Sequence, residues 1–407
     1  MKLLQINVDA NNGSNGSIAR ELGTEAIRRG WESYIAYGRR SVPSDSTLIR
    51  IGDDFDVKIH GIQSRIFDNH GLASKSATKS FLKVVDEIKP DLVHLHNIHG
   101  YYLNYKILFE YLKDAKIPVV WTFHDCWPFT GHCGYFETTQ CEKWMSECYS
   151  CPQKRCYPAS WIFDRSRKNY RLKKELFTSL SVLYITTVSK WLMSKAKESF
   201  LGSFPIIPVY NFVNQNVFRP SEKKINRINY GLDNRKILIG AAANWAPSKG
   251  ISDFNELANY VSDKYQVVMV GVTETVKKQI SPLIRCIPRV ESPQDLAALY
   301  SEADILLNLS KQETFGMTSL EAMACGTPGI SYNNTACPEV LSEDTGIIVP
   351  TGDVPAVVQA IAEIESKGKE WYAARCLDRV KTVFNMSSII GQYFDIYEKA
   401  LAERPIR

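Results

Sequence analysis

Two glutamates, Glu313 and Glu321, stand eight residues apart in a segment whose residue types suit the binding of a phosphate group. An apolar stretch at 304–308 predicts a buried strand before them, and Gly316 opens a helical pattern between them. Glu313 would then lie in a loop and Glu321 in the second turn of a helix. The backbone N–H groups at 315–317 would be the free donors of a helix N-terminus, which suits a phosphate. Gly316 has no side chain to block an approaching ligand.

The same residues also match a purely structural pattern. Thr318-Ser-Leu-Glu321 has the spacing of a capping box, in which the glutamate only satisfies a backbone N–H group. The spacing alone leaves both interpretations open, so the elements that position the two glutamates matter.

Strands alternate with helical patterns in both halves of the chain. A single hydrophobic core stops growing at roughly 250–300 residues, and this chain has 407, so two domains are expected, with a boundary near 210–225. The alternation predicts parallel sheets covered on both faces. Ligands of such sheets bind beyond the carboxyl ends of the strands, so two facing domains would form a deep cleft. The predicted strands cover 3–8, 33–37, 91–96, 117–123 and 182–187 in the first half, and 236–240, 266–271 and 304–308 in the second.

Composition disfavours several classes of protein. The net charge of +5 is small for this length and gives no case for nucleic acid, which usually needs a clustered basic face. Gln5, Asn7 and Asp9 interrupt the apolar N-terminus, so a signal peptide is not expected. No apolar run approaches the ~18 residues needed to cross a bilayer. We therefore expect a cytoplasmic protein.

The two glutamates, followed by Ala322-Met-Ala-Cys-Gly-Thr-Pro328, resemble the signature of the retaining glycosyltransferases of family 4. Further motifs match in the same order at 91–96, 188–189, 211–220, 301–304 and 350–353. The first half is most similar to bacterial enzymes that build colanic-acid-like exopolysaccharides, particularly at 97–104 and 122–133.

The resemblance implies the GT-B fold, an α/β fold with two Rossmann-like, doubly wound parallel-sheet domains and an interdomain cleft. Residues 1–212 would form the acceptor-side domain, with a cysteine-rich insertion at about 126–158. Residues 213–380 would bind the nucleotide sugar, and 381–407 would form a helix that packs back on the first domain.

Site residues follow from the resemblance position by position. It places Glu313 on the donor-sugar hydroxyls and Glu321 on the ribose hydroxyls. It also implies that Lys249 meets the phosphates, where a fixed ammonium would stabilise the charge that develops on the leaving diphosphate. The segment that would lie along the diphosphate consists of Phe315, Gly316, Met317 and Thr318.

Three further positions follow from the same resemblance. His124 matches the position that contacts the donor sugar, and Gly16 matches a glycine-rich loop whose backbone approaches the phosphate or acceptor. Asn244 is a departure, because the family commonly has an arginine five residues before the phosphate-binding lysine. Arg20 and Arg289 are candidates for the missing cation. His94 and His96 share one strand face as packing or acceptor-side groups.

The implied function is retaining hexosyl transfer from a UDP- or GDP-sugar to a saccharide acceptor, expected to be lipid-linked, in bacterial surface polysaccharide synthesis. No catalytic metal is expected. Three alternatives stay open: a sugar-nucleotide epimerase of the same fold, a non-catalytic zinc-stabilised binding scaffold, and a metal-dependent transferase of the other major fold, suggested by Asp54-Phe-Asp56. A dehydrogenase is disfavoured, because the first loop is G-x-x-G and no acid follows the second strand.

Six of the ten cysteines lie between positions 126 and 156. The pair Cys148 and Cys151 has the two-residue spacing of zinc knuckles. Because disulfides rarely persist in a reducing cytosol, we predict a structural zinc on Cys133, Cys141, Cys148 and Cys151. Reduced structural thiols are the alternative.

A basic stretch at 164–175 carries six lysines and arginines and follows Trp161, Ile162 and Phe163. It could rest on anionic lipid near a lipid-linked acceptor, with each basic residue contributing ~1 kcal/mol. The alternative is a solvated helix face. The first interpretation predicts a cytoplasmic protein at the inner face of the membrane.

Overall fold

The computed structural model describes residues 1–222, 225–290 and 292–404. The last three residues of the predicted C-terminal helix segment therefore lie outside the described part. The chain divides into two compact units, Met1–Tyr210 with Ile389–Arg407, and Asn211–Ser388.

The first unit contains a seven-stranded parallel sheet in the order β3-β2-β1-β4-β5-β6-β7. Apolar strands such as β1 and β5 are buried, as strands covered by helices on both faces must be. Three 3₁₀ turns lie between β5 and α5, at Trp127–Phe129, Glu137–Thr139 and Lys143–Met145. The elements are β1 (Lys2–Asn7), α1 (Gly13–Arg28), β2 (Glu32–Tyr37), β3 (Thr47–Arg50), α2 (Asp54–Phe67), α3 (Lys75–Ile88), β4 (Leu92–Leu95), α4 (Tyr105–Ala115), β5 (Val119–Phe123), α5 (Ser166–Phe177), β6 (Leu183–Thr187), α6 (Lys190–Glu198) and β7 (Ile206–Pro208).

The second unit contains a six-stranded parallel sheet in the order β10-β9-β8-β11-β12-β13. A 3₁₀ turn, Pro247–Lys249, follows β8. The elements are α7 (Arg227–Tyr230), β8 (Lys236–Ala241), α8 (Ile251–Val261), β9 (Tyr265–Val270), α9 (Glu274–Lys277), β10 (Arg285–Ile287), α10 (Pro293–Glu302), β11 (Ile305–Asn308), α11 (Met317–Ala324), β12 (Gly329–Tyr332), α12 (Cys337–Val340), β13 (Gly346–Val349), α13 (Val354–Lys367) and α14 (Lys369–Thr382).

The last helix, α15 (Met386–Ala402), buries aromatic residues within the first unit. The Tyr397 hydroxyl lies 2.6 Å from Nδ1 of His94, whose Nε2 lies 2.7 Å from Thr122 Oγ1. The Phe394 ring packs edge-on against Trp31, with centroids 5.3 Å apart. Both ring nitrogens of His94 are therefore engaged by side chains in the core, which assigns this residue to packing.

The predicted fold class is confirmed, because both sheets are parallel and flanked by helices. All eight predicted strands are present, and five further strands were not predicted. These five, β3, β7, β10, β12 and β13, have only three or four residues each. Strands this short contain too few residues for a repeating hydrophobic pattern to be recognised. Two of them begin with glycines, Gly329 and Gly346, which pair with each other.

The Asp-x-Asp segment has a structural role at the start of α2. Asp53 caps this helix, since its side chain accepts the N–H groups of Phe55 and Asp56, and Asp56 Oδ2 accepts the Asp53 N–H in return. The two-sheet fold and this reciprocal cap show that the alternative based on Asp54-Phe-Asp56, a transferase of the other major fold, was wrong.

Candidate active site

The donor-site residues predicted in the second unit lie where β8 and β11 end. These two strands are hydrogen-bonded neighbours, although β9 and β10 lie between them in the chain. The chain therefore continues from β8 to β9 on one side of this pair, and from β11 to β12 on the other side. Such a switch point leaves a crevice at the carboxyl ends of the strands, where α/β proteins bind ligands.

Lys249 lies in the loop between β8 and α8, and this loop contacts the loop that follows β11. Gly250 comes next with φ 76°, and a Cβ at this position would lie 2.2 Å from the Leu309 carbonyl oxygen. Only glycine allows this close approach. The Lys311 N–H donates to the Ser248 carbonyl oxygen at 2.7 Å and joins the two loops.

The two loops bring Lys249 and Glu313 into contact. Lys249 Nζ lies 2.5 Å from Glu313 Oε1, and the side chains are 29% and 17% exposed. The Glu313 N–H donates to Thr335 Oγ1 at 2.9 Å, which holds the loop in place. A cation and a carboxylate are therefore fixed side by side, within reach of a ligand.

α11 begins immediately after Gly316, whose φ of 101° and ψ of 57° favour glycine. In the first turn of a helix the N–H groups have no intrahelical acceptors, which applies here to Met317 and Thr318. Both residues are partly exposed. Phe315 is buried and its ring packs 5.8 Å from that of Phe384. Phe315 could therefore serve a phosphate only through its backbone.

Glu321 does not cap the helix. Gly316 occupies the N-cap position and makes no side-chain cap, so the capping-box interpretation of Thr318 and Glu321 was wrong. Glu321 Oε2 instead accepts the Tyr300 hydroxyl at 3.2 Å. Burial raises the pKa of the Glu321 carboxyl to about 7. The carboxyl group is nevertheless partly exposed. A ligand whose hydroxyl groups donate hydrogen bonds to it would stabilise its charged form.

The structure leaves Asn244 exposed in the loop after β8. Arg20 belongs to the first unit and pairs with Glu21 at 2.8 Å. Arg289 is exposed after β10, the strand at the far edge of the sheet. Lys311 is a third candidate for the missing cation, since it lies two residues before Glu313 and its Nζ pairs with Asp253 at 3.2 Å.

His124 follows β5 at the carboxyl edge of the first sheet. Its Nε2 lies 3.2 Å from His96 Nδ1, with the two rings stacked 5.5 Å apart. Burial lowers the pKa of His124 to about 4, so its imidazole is neutral at pH 7. It can exchange hydrogen bonds with a hydroxyl group but supplies no charge. Its role toward a donor sugar stays a prediction.

Gly16 lies in the first turn of α1, where a Cβ would come within 3.0 Å of the Asn11 backbone nitrogen. The loop before α1 therefore folds over this glycine, and packing of the chain on itself explains why the position is small. Contact of Gly16 with phosphate or acceptor stays a prediction.

The basic stretch does not form one solvated face. Lys173 is buried, and its Nζ donates to the Trp127 carbonyl oxygen at 2.6 Å. Arg167 and Arg171 both pair with Glu147. Only part of the predicted basic charge is therefore available to a partner.

Sequence reasoning missed three residues that shape the candidate site, namely Tyr300, Lys311 and Thr335. Tyr300 and Thr335 contact the two glutamates from other elements, so no local spacing could have identified them. Lys311 could have been found, since it precedes Glu313 in the same loop.

Comparisons with known proteins agree with the two-sheet fold. The model described as "Glycosyltransferase Family 4" matches residues 16–216, and the model described as "Glycosyl transferases group 1" matches residues 235–367. The putative colanic acid biosynthesis glycosyl transferase WcaC of Escherichia coli is 22% identical, over 98% of this chain and 100% of that protein.

Solved structures show the same fold. Sucrose-phosphate synthase from Thermosynechococcus elongatus aligns with a TM-score of 0.72 at 17% identity, over 98% of this chain and 99% of that one. Anabaena HepE in complex with UDP-glucose aligns with a TM-score of 0.65 at 14% identity, over 98% of this chain and 100% of that one. The two family models together cover every strand of the two sheets except β1, and this chain is therefore a family 4 glycosyltransferase with the GT-B fold.

Proposed function

We propose that this chain transfers a sugar from a nucleoside diphosphate sugar to a saccharide acceptor, with retention of configuration at the anomeric carbon. The observation that carries the proposal is the Lys249–Glu313 pair at the switch point between β8 and β11. Glu313 stands three residues before Gly316, the N-cap of α11, so a cation, a carboxylate and free N–H groups converge on one crevice.

Each part of the site matches one part of such a donor. Glu313 would accept hydroxyls of the sugar, and Glu321 would accept the ribose hydroxyls. Lys249 and the backbone N–H groups at 315–318 would hold the diphosphate. The ion pair of the unliganded protein would open as the donor enters, because the ammonium exchanges one anion for another.

In the transfer step the bond between the anomeric carbon and the diphosphate oxygen breaks, and the leaving group takes the electron pair. The acceptor oxygen forms the new bond on the same face and passes its proton to the departing phosphate oxygen. Lys249 stabilises the leaving diphosphate through charge already in place, so the step needs no metal ion. His124 would contact the sugar as a neutral hydrogen-bonding group.

The nucleotide part of the donor would be UDP or GDP. UDP-sugars are tested first, because the HepE structure holds UDP-glucose. The acceptor would be a saccharide, lipid-linked, in the synthesis of a bacterial surface polysaccharide. The nearly full-length similarity to a colanic acid transferase supports this choice. The hexosyl group itself is to be identified by a thermal-shift screen of UDP- and GDP-sugars.

The test is transfer to saccharide acceptors with the donor that gives the largest thermal shift. NMR of the first-formed glycoside should show the donor's anomeric configuration, and an inverted linkage would end the retaining assignment. Glu313→Gln should lose most turnover, whereas Glu343→Gln, an exposed glutamate of the same unit, should keep it. Full turnover by Glu313→Gln would remove the assigned role of that residue.

Two alternatives give different results in the same assay. A sugar-nucleotide epimerase would convert the donor without any acceptor. A non-catalytic scaffold would bind no nucleotide sugar, and substitutions of Glu313 and Glu321 would leave its function intact. Turnover unchanged by a chelator would support the absence of a catalytic metal.

Peripheral contact with the inner face of the cytoplasmic membrane is a further part of the proposal. No helix in the described ranges is long and apolar enough to cross a bilayer. α2 and the loop before α5 instead share an exposed apolar patch, joined by the Trp161 N–H bond to the Arg65 carbonyl oxygen and by stacking of Phe67 on Phe163. Its members are Phe55, Ile59, Ile62, Phe67, Trp161, Ile162 and Phe163, each at least 38% exposed.

Aromatic and aliphatic side chains beside cations suit an anionic lipid interface. Arg165 lies over the Phe67 ring at 6.0 Å and Arg65 over Trp161 at 5.8 Å. Co-sedimentation with phosphatidylglycerol vesicles should fall for Trp161→Ser but not for Ile228→Ser, which removes an apolar side chain exposed in the second unit. Sedimentation that is independent of both substitutions and of salt would contradict membrane contact.

A further inference from the structure

The loop between β5 and α5 has unusually little regular structure for its length. Residues 124–165 contain only the three 3₁₀ turns as regular elements. Loops longer than about 12–15 residues without secondary structure are uncommon inside compact domains. Yet Phe136 and Trp144 are buried in this loop and their rings stack 4.8 Å apart. Some cross-link should therefore hold this segment together.

Four cysteines of this loop line one small cavity of about 20 Å³, together with His132. This volume is close to the minimum of about 10–15 Å³ that a single water molecule requires. Cys133 and Cys151 both line this cavity, and Cys133 is buried. Cys148 Sγ accepts the Gly131 N–H at 3.2 Å. Cys141 completes the sulfur lining of the same cavity.

His132 provides an independent sign of a missing ligand. Its ring is buried, and Nδ1 lies 2.6 Å from Asp68 Oδ1. Its Nε2 is buried without any hydrogen-bond partner. A buried polar atom without a partner costs roughly 1–3 kcal/mol. With Nδ1 held by a carboxylate, Nε2 is left for a group in the cavity that His132 lines, such as a metal-bound thiolate.

The charge balance points the same way. Lys173 is buried next to the cavity, donates to the carbonyl oxygens of Trp127 and Thr130, and lies 3.4 Å above the Trp127 ring. The two carboxylates that act on its charge, Asp68 and Asp125, are each paired with a histidine instead. An ammonium buried without a close counter-charge is costly. A zinc ion bound by four thiolates carries a net charge of −2 and would supply that counter-charge.

We propose that Cys133, Cys141, Cys148 and Cys151 bind one structural zinc ion. Zinc fits because it prefers four thiolate or imidazole ligands in a tetrahedral arrangement and closes small folds that lack a large core. In the part of the chain that the structure describes, no three His, Cys, Asp or Glu side chains already surround one ion position. Binding therefore turns the thiols inward from the cavity wall. The site does not depend on sugar transfer.

The first test is the metal content of the full chain, purified without chelator and, separately, reconstituted with zinc. We expect one zinc per chain by mass spectrometry and four thiols protected from titration until a chelator is added. Cys156→Ser should keep the zinc, because Cys156 is exposed and does not line the cavity. Cys→Ser at each of the four positions should lower zinc content by at least half.

Two results would overturn the proposal. One is a zinc-free protein after reconstitution whose four thiols all titrate freely. The other is a Cys133–Cys151 disulfide in the protein isolated under reducing conditions. If the serine variants do not fold, release of zinc from the parent protein on thiol modification still tests the site. Loss of zinc in His132→Ala but not in Cys141→Ser would overturn the assignment of Cys141 as the fourth ligand.

Discussion

Lys249 and Glu313 form an ion pair across the loops that follow two neighbouring parallel strands, β8 and β11. The two residues are 64 positions apart in the chain. Glycine at position 250 permits this contact, since any larger residue would push the first loop away from the Leu309 carbonyl oxygen. The pair places the cation proposed to bind the leaving diphosphate beside the carboxylate proposed to bind a sugar hydroxyl.

Removal of the ammonium should slow the transfer step more than it weakens donor binding. We expect Lys249→Ala to lower kcat by about 10²–10³, the range for loss of one preorganised charge-stabilising group. Lys249→Arg should restore part of the loss. Lys278→Ala, which removes an exposed lysine of the same unit, is the control. Steady-state kinetics that show a raised KM with unchanged kcat would assign Lys249 to binding alone.

Glu321 should make stability depend on pH. Burial raises its pKa from 4.5 to about 7. Between pH 4.5 and pH 7 the folded protein therefore keeps a proton that the unfolded chain has released. The stability from this group is complete below pH 4.5 and is lost as the pH rises through 7. We expect Glu321→Gln to exceed the parent in unfolding free energy by about 1–2 kcal/mol above pH 7, after allowance for solvent access.

Urea unfolding of both proteins at pH 5 and pH 8 measures this difference, and an equal gap at the two pH values would contradict it. The same variant should bind donor more weakly, because an amide replaces the carboxylate proposed to accept the ribose hydroxyls. Donor affinity of the parent should fall as the pH drops below 7.

Gly316 should tolerate no side chain. Its φ of 101° would strain alanine, although the nearest atom to a new Cβ is 3.4 Å away. Gly316→Ala should therefore destabilise the second unit by about 1–3 kcal/mol and raise the donor KM. Gly391→Ala is the matched control, because this mid-helix glycine has open space around it and alanine should stabilise α15 by about 0.5–1 kcal/mol. Equal effects of the two substitutions on stability would contradict this interpretation.

Tyr397 should anchor the last helix. Its hydroxyl lies 2.6 Å from His94 Nδ1 in a buried network that continues to Thr122. Tyr397→Phe removes that partner and leaves a buried ring nitrogen without one, so we expect a loss of about 1–3 kcal/mol in unfolding free energy. Chemical denaturation measures the loss. Tyr260→Phe, at an exposed tyrosine, should change stability by less than about 0.5 kcal/mol.

Local sequence predicted the long buried strands and the helices next to them, because their apolar residues recur with a clear period. Ile18, Leu22 and Ala26, for example, recur every four residues in α1, and all three are buried. The short strands β12 and β13 escaped prediction, since four residues that begin with glycine carry no period. Their position follows from pairing with each other and with β11.

The types and spacing of Glu313, Gly316 and Glu321 by themselves predicted a loop and a helix start that suit a phosphate group, with a capping box as the alternative. The tertiary structure decided the rest. It paired Lys249 with Glu313, turned Glu321 toward Tyr300 instead of the backbone, and buried Lys173 out of the basic stretch. The physical reason is that strand order, not sequence distance, sets which loops meet at the edge of a parallel sheet.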